Sequence, residues 1–235
     1  MKNALILFLF PLLIFAQKKE VFKLKFPLKD YTRTTKSLEV IDVRKNKEIK
    51  DIFYRGNTYS FSFPTNNLSK DIENWFEENN KKRDKATNEI VMLVEDLNIF
   101  NENRNNQIFC VLDMKVSTFL KKDQNYYFLK RYDNVISLNS KEEAGIPNTF
   151  AENTQKVLQN LMFETYRANP LEIAIPEKDL NNYDEILKSN YAAFSKNDLK
   201  DGVYLDSKSF FTQTPLENYK LIKNSKDEVL KATNA

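Results

Sequence analysis

The chain contains 235 residues, with 36 lysines and arginines, 33 acidic residues, one cysteine, three glycines and no histidine. The lack of histidine excludes Ser-His-Asp and Cys-His catalysis and imidazole metal sites. Three scattered glycines cannot build a phosphate-binding loop or a dinucleotide fingerprint, and a charge this balanced argues against a nucleic-acid or membrane-surface binder. We therefore predict no catalytic, cofactor-binding or metal-binding residues.

The N-terminal stretch MKNALILFLFPLLIFAQ contains thirteen consecutive uncharged residues, from Ala4 to Ala16. A helix that spans a bilayer needs about 20 apolar residues. A basic residue, a short apolar run and a small residue at its end are instead the parts of a signal peptide. We predict that residues 1–16 are removed by cleavage between Ala16 and Gln17, with an uncleaved anchor as the alternative. The protein is then exported to the periplasm or the medium.

The residue after the predicted cut bears on membrane attachment. Bacterial lipid attachment requires a cysteine at this position, and Gln17 stands there instead. The one cysteine, Cys110, lies in the alternating run Ile108, Cys110, Leu112, Met114, Val116, which is typical of a strand in the core. We therefore predict no lipid anchor and no internal disulfide.

The first half of the mature chain predicts two strands and a helix. Residues 17–36 form a lead-in segment without clear periodicity, ordered around residues 21–26. Strands are predicted at Leu38–Arg44 and Thr58–Phe63, the second with its aromatic residues on one face. A helix follows to about residue 82, capped by Asn66 or Asn67, because the apolar residues then recur at helical spacing. These are Leu68, Ile72, Trp75 and Phe76.

Three strands and a second helix complete the predicted domain. Residues 89–97, 107–119 and 125–137 alternate or run apolar, and the polar segments between them have hairpin length. Thr149 and Glu152 have capping-box spacing after Pro147, ahead of an apolar stripe that predicts a helix.

The order β-β-α-β-β-β-α predicts an α+β fold over residues 37–169. We expect a two-layer sandwich, a mostly antiparallel sheet with two amphipathic helices on one face. The other face should be wet or occupied by a partner. Residues 170–235 are predicted to form a C-terminal appendage, because they contain few large apolar residues per turn.

Residues 38–169 resemble the periplasmic lipoprotein module of the YajG and PqiC type. The matching features are an opening strand with Asp42-x-Arg44, a helix with the central tryptophan Trp75, a three-strand meander and a closing amphipathic helix. This sequence departs from that type at the lipid-bearing cysteine. The resemblance implies an accessory of an envelope or transport system rather than an enzyme.

A second resemblance lies near the C-terminus. Gly202, Tyr204, Phe210 and Pro215 have the spacing G-x-Y-x5-F-x4-P, which is similar to a segment of exported Bacteroidetes proteins. In those proteins the segment opens a β-rich module, so the resemblance implies a truncated or minimal module here. The Phe-Ala-Gln signal ending and the Lys/Asn-rich composition resemble the same group. The residues also fit a local alternative: Gly202 begins a turn, Tyr204 lies in a short strand and residues 207–212 form one helical turn.

The leading functional hypothesis is a non-catalytic binding or assembly module of the bacterial cell envelope with a protein partner. The predicted interaction surface is the polar sheet face or its edge, together with the first turn; the residues singled out are Arg44, Tyr54, Arg55, Tyr126, Lys130 and Tyr132. One alternative is a small-ligand or glycan binder, which a hydrophobic tunnel between sheet and helices would favour. Another is a carboxylate hydrolase, which needs two acids about 5–10 Å apart in a cleft.

Overall fold

The computed structural model describes residues 17–81, 83–195 and 199–234. The predicted signal peptide, residues 1–16, lies outside the described residues, as does the Ala16 side of its cleavage bond. Within the described ranges, no helix has both the length and the apolar character that crossing a bilayer requires.

The protein has the predicted α+β fold, built mostly from strands. The described chain contains, in order, β1 (Lys18–Val21), β2 (Thr35–Asp42), β3 (Ile52–Tyr54), β4 (Asn57–Ser62), α1 (Leu68–Asn79), β5 (Asn88–Arg104), β6 (Gln107–Lys122), β7 (Asn125–Asn139), α2 (Ile146–Thr165), β8 (Ile175–Pro176), a 3-10 helix (Glu177–Asn182), α3 (Tyr183–Asn190), α4 (Ala192–Ser195), α5 (Ser207–Phe211), β9 (Tyr219–Lys223) and β10 (Val229–Asn234).

The main sheet has the strand order β2-β5-β6-β7-β8. The predicted antiparallel meander of β5, β6 and β7 is present, and β2 joins it in parallel to β5. The meander strands are longer than predicted because the pairing continues up to tight turns. Asn105 and Asn106 in the first turn both have positive φ, 50° and 61°, which asparagine tolerates better than most residues.

A second, three-stranded sheet has the order β1-β4-β3. The hairpin of β3 and β4 turns at Arg55 and Gly56, whose φ angles of 48° and 79° suit a two-residue hairpin turn. β1 pairs in parallel with β4. The predicted lead-in segment is therefore part of the fold, and its Phe22 and Leu28 are fully buried.

The first face of the main sheet carries the larger core. α1, α2 and the small sheet pack there, and the stripes predicted for both helices are largely buried. Asn67 caps α1 by accepting the N–H of Lys70, as predicted. The predicted capping box of α2 is wrong, because this helix begins at Ile146 after Gly145, with Pro147 in its first turn, where the missing N–H costs nothing.

The second face of the main sheet carries a smaller core that the sequence reasoning missed. The segment from Leu171 to Tyr191 crosses this face and buries the side chains that point away from α2. The cluster contains Val91, Leu93, Phe119, Tyr126, Phe128, Leu171, Ile175, Leu180, Tyr183, Leu187 and Tyr191. This part of the predicted appendage therefore belongs to the domain, and it covers one end of a face that was expected to be open.

The remaining C-terminal residues form a compact loop and a hairpin. The motif residues contact each other: a Cβ on Gly202 would overlap the Cβ of Pro215, and the rings of Tyr204 and Phe210 meet edge-on with their centroids 5.3 Å apart. The predicted helical turn is α5, whereas Tyr204 lies outside any strand. These contacts give the motif a structural role, in which Gly202 is required by the close approach of Pro215.

Candidate functional site

A β-bulge divides the interaction surface that the sequence predicted. Thr118 pairs with Lys130 and Phe119 with Phe128, so Leu129 is an extra residue in β7. An extra residue reverses the direction of every side chain that follows. Tyr126 is consequently buried in the smaller core, whereas Lys130 and Tyr132 lie on the opposite face, beside α2. The structure therefore does not bring these three side chains together.

Arg44, predicted as part of the surface, is buried in an ion-pair network. Its guanidinium donates to both carboxylate oxygens of Asp42, at 3.0 and 2.9 Å, and to the carbonyl oxygen of Lys47 at 3.1 Å. Burial raises the pKa of Asp42, but hydrogen bonds from Arg44 and Lys47 outweigh it, so this pKa lies below its usual value. Asp42 and Arg44 therefore bond to each other and to Lys47 within the fold, and Arg44 is not exposed to a partner.

Tyr54 is also buried, and Arg55 is an exposed turn residue. The hydroxyl of Tyr54 donates to the carbonyl oxygen of Glu143 at 2.8 Å and accepts the N–H of Gly145 at 3.0 Å. Arg55 lies over the ring of Tyr54, 5.3 Å from its centroid. Tyr54 therefore fixes the start of α2, and only Arg55 of this pair is accessible to a partner.

A network of polar side chains holds α3 on the second face. The Tyr183 hydroxyl lies 2.7 Å from the Ser117 hydroxyl, donates to Glu95 at 3.0 Å and accepts from Arg131 at 2.6 Å. Arg131 also donates to Asp184 at 2.5 Å. Burial, followed by the charge of Glu95, raises the pKa of Tyr183. Because every member has a partner, the network fits a structural role better than a catalytic one.

Replacement of Tyr183 by phenylalanine should lower the free energy of unfolding by about 1–2 kcal/mol, because it removes one hydrogen-bond partner each from Ser117, Glu95 and Arg131, which keep only their other partners in the network. Urea unfolding followed by circular dichroism measures this change. Tyr219→Phe, in the C-terminal hairpin, is the matched control and should change it by less than about 0.5 kcal/mol. Equal values for the two variants would contradict the role of the network.

The two edges of the main sheet differ. At β2, the free N–H of Val40 donates to the carboxylate of Glu73 from α1 at 2.8 Å, so this edge is covered. At β7, the outer side pairs with β8 only at Asn125 and Tyr126, and Leu171 adds one hydrogen bond to the carbonyl oxygen of Phe128. Beyond Phe128, no described strand pairs with the outer side of β7.

The unpaired part of β7 is accessible. Asp133, Asn134 and Val135 are exposed, Val135 by 50%. The N–H of Val135 donates to the side chain of Asn134 at 2.8 Å rather than to β6, so this N–H faces outward. A row of outward backbone groups is a template for another strand.

A groove adjoins this edge. Two neighbouring clefts of about 420 and 320 Å³ lie between the end of α2, β7 and α5, and both are lined by Phe128, Leu129, Lys130, Glu164 and Leu171. The Lys130 ammonium lies 3.8 Å from Glu164. The first cleft also contains Arg167, whose guanidinium is exposed and has no polar partner among the described residues.

The groove mixes apolar walls with charges of both signs. Asp206 faces it, but its carboxylate caps α5, and the hydrogen bonds from Ser209 lower its pKa. An acid with a lowered pKa is a poor proton donor at neutral pH. The geometry therefore suits binding of an extended, partly apolar segment better than acid–base chemistry.

An acidic row borders the free edge on the second face. The register places Asp96 and Asp133 on either side of Lys115, with Asp113 two residues further along β6. Burial raises the pKa of Asp113, and the charges of Asp96 and Asp133 raise it further. Lys115 is itself paired with Glu95 at 3.1 Å. In the described part of the chain, no group of acidic or cysteine side chains is arranged to hold a metal ion.

Of the predicted surface residues, Lys130 alone lines the groove. Sequence reasoning missed the groove because its second wall comes from residues 163–171 and 206–211, far away in the chain. The open edge could not be predicted either, since edge position depends on which strands pair.

The space between the sheet and α2 is filled by buried side chains such as Met114, Phe150 and Leu158. This packing disfavours the hydrophobic tunnel that a ligand binder would use.

Comparison with known proteins gives one weak structural similarity. No protein-family model matches the chain, and no curated protein matches it. A crystal structure of protein XCC0632 from Xanthomonas campestris, of the family model DUF330, covers 63% of this chain and 96% of that protein, with 9% identity and a TM-score of 0.36. A similarity at this level carries no functional argument.

Proposed function

We propose that this protein is an exported, non-catalytic binding module of the bacterial cell envelope, and that it receives an extended segment of a protein partner at the free edge of β7. The observation that carries the proposal is the unpaired stretch of β7 beyond Phe128. The opposite edge of the same sheet is covered by α1, so the exposure of β7 is specific to one side.

Strand addition fits the chemistry of this surface. Backbone hydrogen bonds to the edge supply affinity for any extended chain, and neighbouring pockets supply specificity. Here the pockets are the clefts beside Phe128 and Leu171, with Lys130 and Arg167 at their margin. The first cleft places Lys130 and Arg167 beside Glu164 and Asp206, so its apolar walls, rather than one sign of charge, select the segment that binds there.

The export part of the proposal rests on the N-terminal sequence. Thirteen uncharged residues ending at Ala16 have the composition of a signal peptide. The first strand in the described part of the chain, β1, starts at Lys18. A mature protein starting at Gln17 would keep every described helix and strand.

Site-specific photo-crosslinking in the native envelope tests the proposal. A photo-crosslinking residue at Asn134, on the free edge, should capture a partner. The same residue at Lys70, exposed on α1, should not. Mass spectrometry of the crosslinked product identifies the captured partner. It should also place the N-terminus of this protein at Gln17.

A pair of variants ties the capture to strand addition. Val135→Pro removes the outward N–H, which makes no hydrogen bond to β6, so the pairing of β6 and β7 is kept. Because an added strand loses one backbone donor, capture at Asn134 should fall by about tenfold or more. Val135→Thr keeps the N–H and a β-branched side chain and should retain capture. A circular dichroism melt checks that both variants are folded. Equal capture at Asn134 and Lys70, or capture that survives Val135→Pro, would contradict the proposal.

A further inference from the structure

The C-terminal hairpin of β9 and β10 is a second unpartnered β-surface in the same chain. It pairs with no third strand in the described chain, and an isolated two-stranded hairpin is at best marginally stable in water. Several of its apolar side chains are nonetheless exposed, Ile222 by 48% and Leu230 by 66%. When such a hairpin docks onto another sheet, one of its open edges becomes paired and its exposed apolar side chains become buried.

The hairpin is basic. Residues 219–234 contain four lysines and two acidic residues, so their net charge is 4 − 2 = +2. Lys223 is paired with Asp201 and Asp227. Lys220 and Lys231 are exposed and have no charged partner among the described residues, so they are available to an acidic surface.

The free edge of β7 is complementary to the hairpin in its open backbone groups, its exposed apolar side chain and its negative charge. No described strand pairs with its outer backbone groups beyond Phe128, and Val135 is an exposed apolar residue beside them. Asp133 is exposed on the same strand, and it lies near enough to Asp113 to raise the pKa of that residue. The unpaired stretch, residues 130–138, is longer than the six-residue β10.

We propose that the strand received at β7 is the C-terminal hairpin of a second copy of this chain, with Lys220 and Lys231 facing the Asp133 side of the sheet. This inference rests on the proposed function and names the partner of the same site. Docking continues the five-stranded sheet of one copy with the hairpin of the next. It removes two open edges at once and covers Val135 with Ile222 or Leu230.

The contact joins two different patches, so it is heterologous and repeats from copy to copy. Such contacts produce closed rings or open chains rather than a symmetric pair. Because the attraction involves exposed charges, it weakens when salt shortens the Debye length. These properties separate the proposed assembly from a dimer formed through an apolar core.

Sedimentation velocity of the mature chain, residues 17–235, tests the inference. The wild-type chain should associate as its concentration rises at about 20 mM salt and dissociate near about 500 mM. The double variant Lys220→Glu, Lys231→Glu and the single variant Asp133→Lys should each weaken association by about tenfold or more. Lys70→Glu, on α1, is the control and should associate like the wild type.

Mixing the two charge-reversed proteins gives the sharpest result. Each associates weakly alone, but the reversed hairpin of one matches the reversed edge of the other, so an equimolar mixture should recover association. A wild-type chain that stays monomeric at low salt, or a mixture that stays monomeric, would overturn the inference. If the chain is monomeric while Asn134 captures another protein in the envelope, the inference fails and the proposed function stands. If neither occurs, both fail.

Discussion

Replacement of Asp30 by alanine is expected to lower the free energy of unfolding by about 3 kcal/mol. Asp30 is only 4% exposed, and its carboxylate accepts the N–H groups of Thr32, Thr34 and Thr35 at 2.8, 3.1 and 2.9 Å. Its own N–H donates to the side chain of Asn80 at 2.8 Å. Alanine leaves the N–H of the buried Thr35 without an acceptor and also removes the acceptor of the exposed Thr32 and Thr34. Hydrogen bonds to a charged group contribute about 1.5–3 kcal/mol, so the loss of this set supports an effect of about 3 kcal/mol.

The effect of Asp30 should depend on pH in a defined direction. Burial raises the pKa of Asp30, but hydrogen bonds from Thr32 and Thr35 outweigh it, so the pKa in the folded state is below its usual value. The unfolded state therefore binds the proton first. The stabilisation is complete above about pH 5 and is lost as the pH falls through the folded-state pKa.

Urea unfolding of the wild type and Asp30→Ala at a series of pH values measures both predictions. The difference between them should be largest near neutrality and should shrink below about pH 4. Asp84→Ala removes an exposed carboxylate and should have an effect below about 0.5 kcal/mol at every pH. A difference of less than about 1 kcal/mol at pH 7, or one that is constant down to pH 3, would show that the buried carboxylate does not stabilise the lead-in segment.

The largest effect is expected from shortening the chain at Asn169. A chain that ends there lacks Leu171, Ile175, Leu180, Tyr183 and Leu187, all buried in the smaller core. Burying one such side chain contributes about 1.5–3 kcal/mol, whereas a whole domain is stable by only about 5–15 kcal/mol. We therefore expect this chain to lose cooperative unfolding and to bind a hydrophobic dye such as ANS.

A chain that ends at Glu217 is the matched control. It lacks only the hairpin of β9 and β10, none of whose side chains belongs to either buried core. Its melting temperature should lie within about 3 °C of that of the full-length chain. Scanning calorimetry of the two shortened chains distinguishes the outcomes. A cooperative transition in the chain ending at Asn169 would mean that residues 170–195 are dispensable, as an appendage would be.

The fold class and most of the regular elements could be predicted because their signals are local. Alternation through Cys110 and Met114 identifies a strand with one buried face, and the spacing of Leu68, Ile72 and Trp75 identifies a helix. Side-chain direction along a strand or a helix follows from backbone geometry alone. Asn67 as the cap of α1 follows from the same short-range chemistry.

The predicted interaction surface assumed that Tyr126, Lys130 and Tyr132 lie on one face because side chains alternate regularly along β7. The structure does not keep that alternation. The bulge at Leu129 reverses the alternation between Tyr126 and Lys130, and the sequence around it contains no glycine or other marker of a bulge. Tyr54 is similar: a half-polar side chain in a short strand predicts exposure, but its hydroxyl meets the backbone of residues 143–145. Only a contact between distant segments decides such a case.

The features that can be predicted from residue identity and spacing are the lack of histidine, the short uncharged N-terminal run, the strand and helix patterns and the α+β class. Which faces and edges of the main sheet stay open depends instead on how the folded segments pack. Residues 171–191 cover one end of the second face and α1 covers the edge of β2, while the outer side of β7 beyond Phe128 is left unpaired. The physical reason is that local patterns depend on neighbours within a few residues, whereas coverage depends on segments that meet only after the chain has folded.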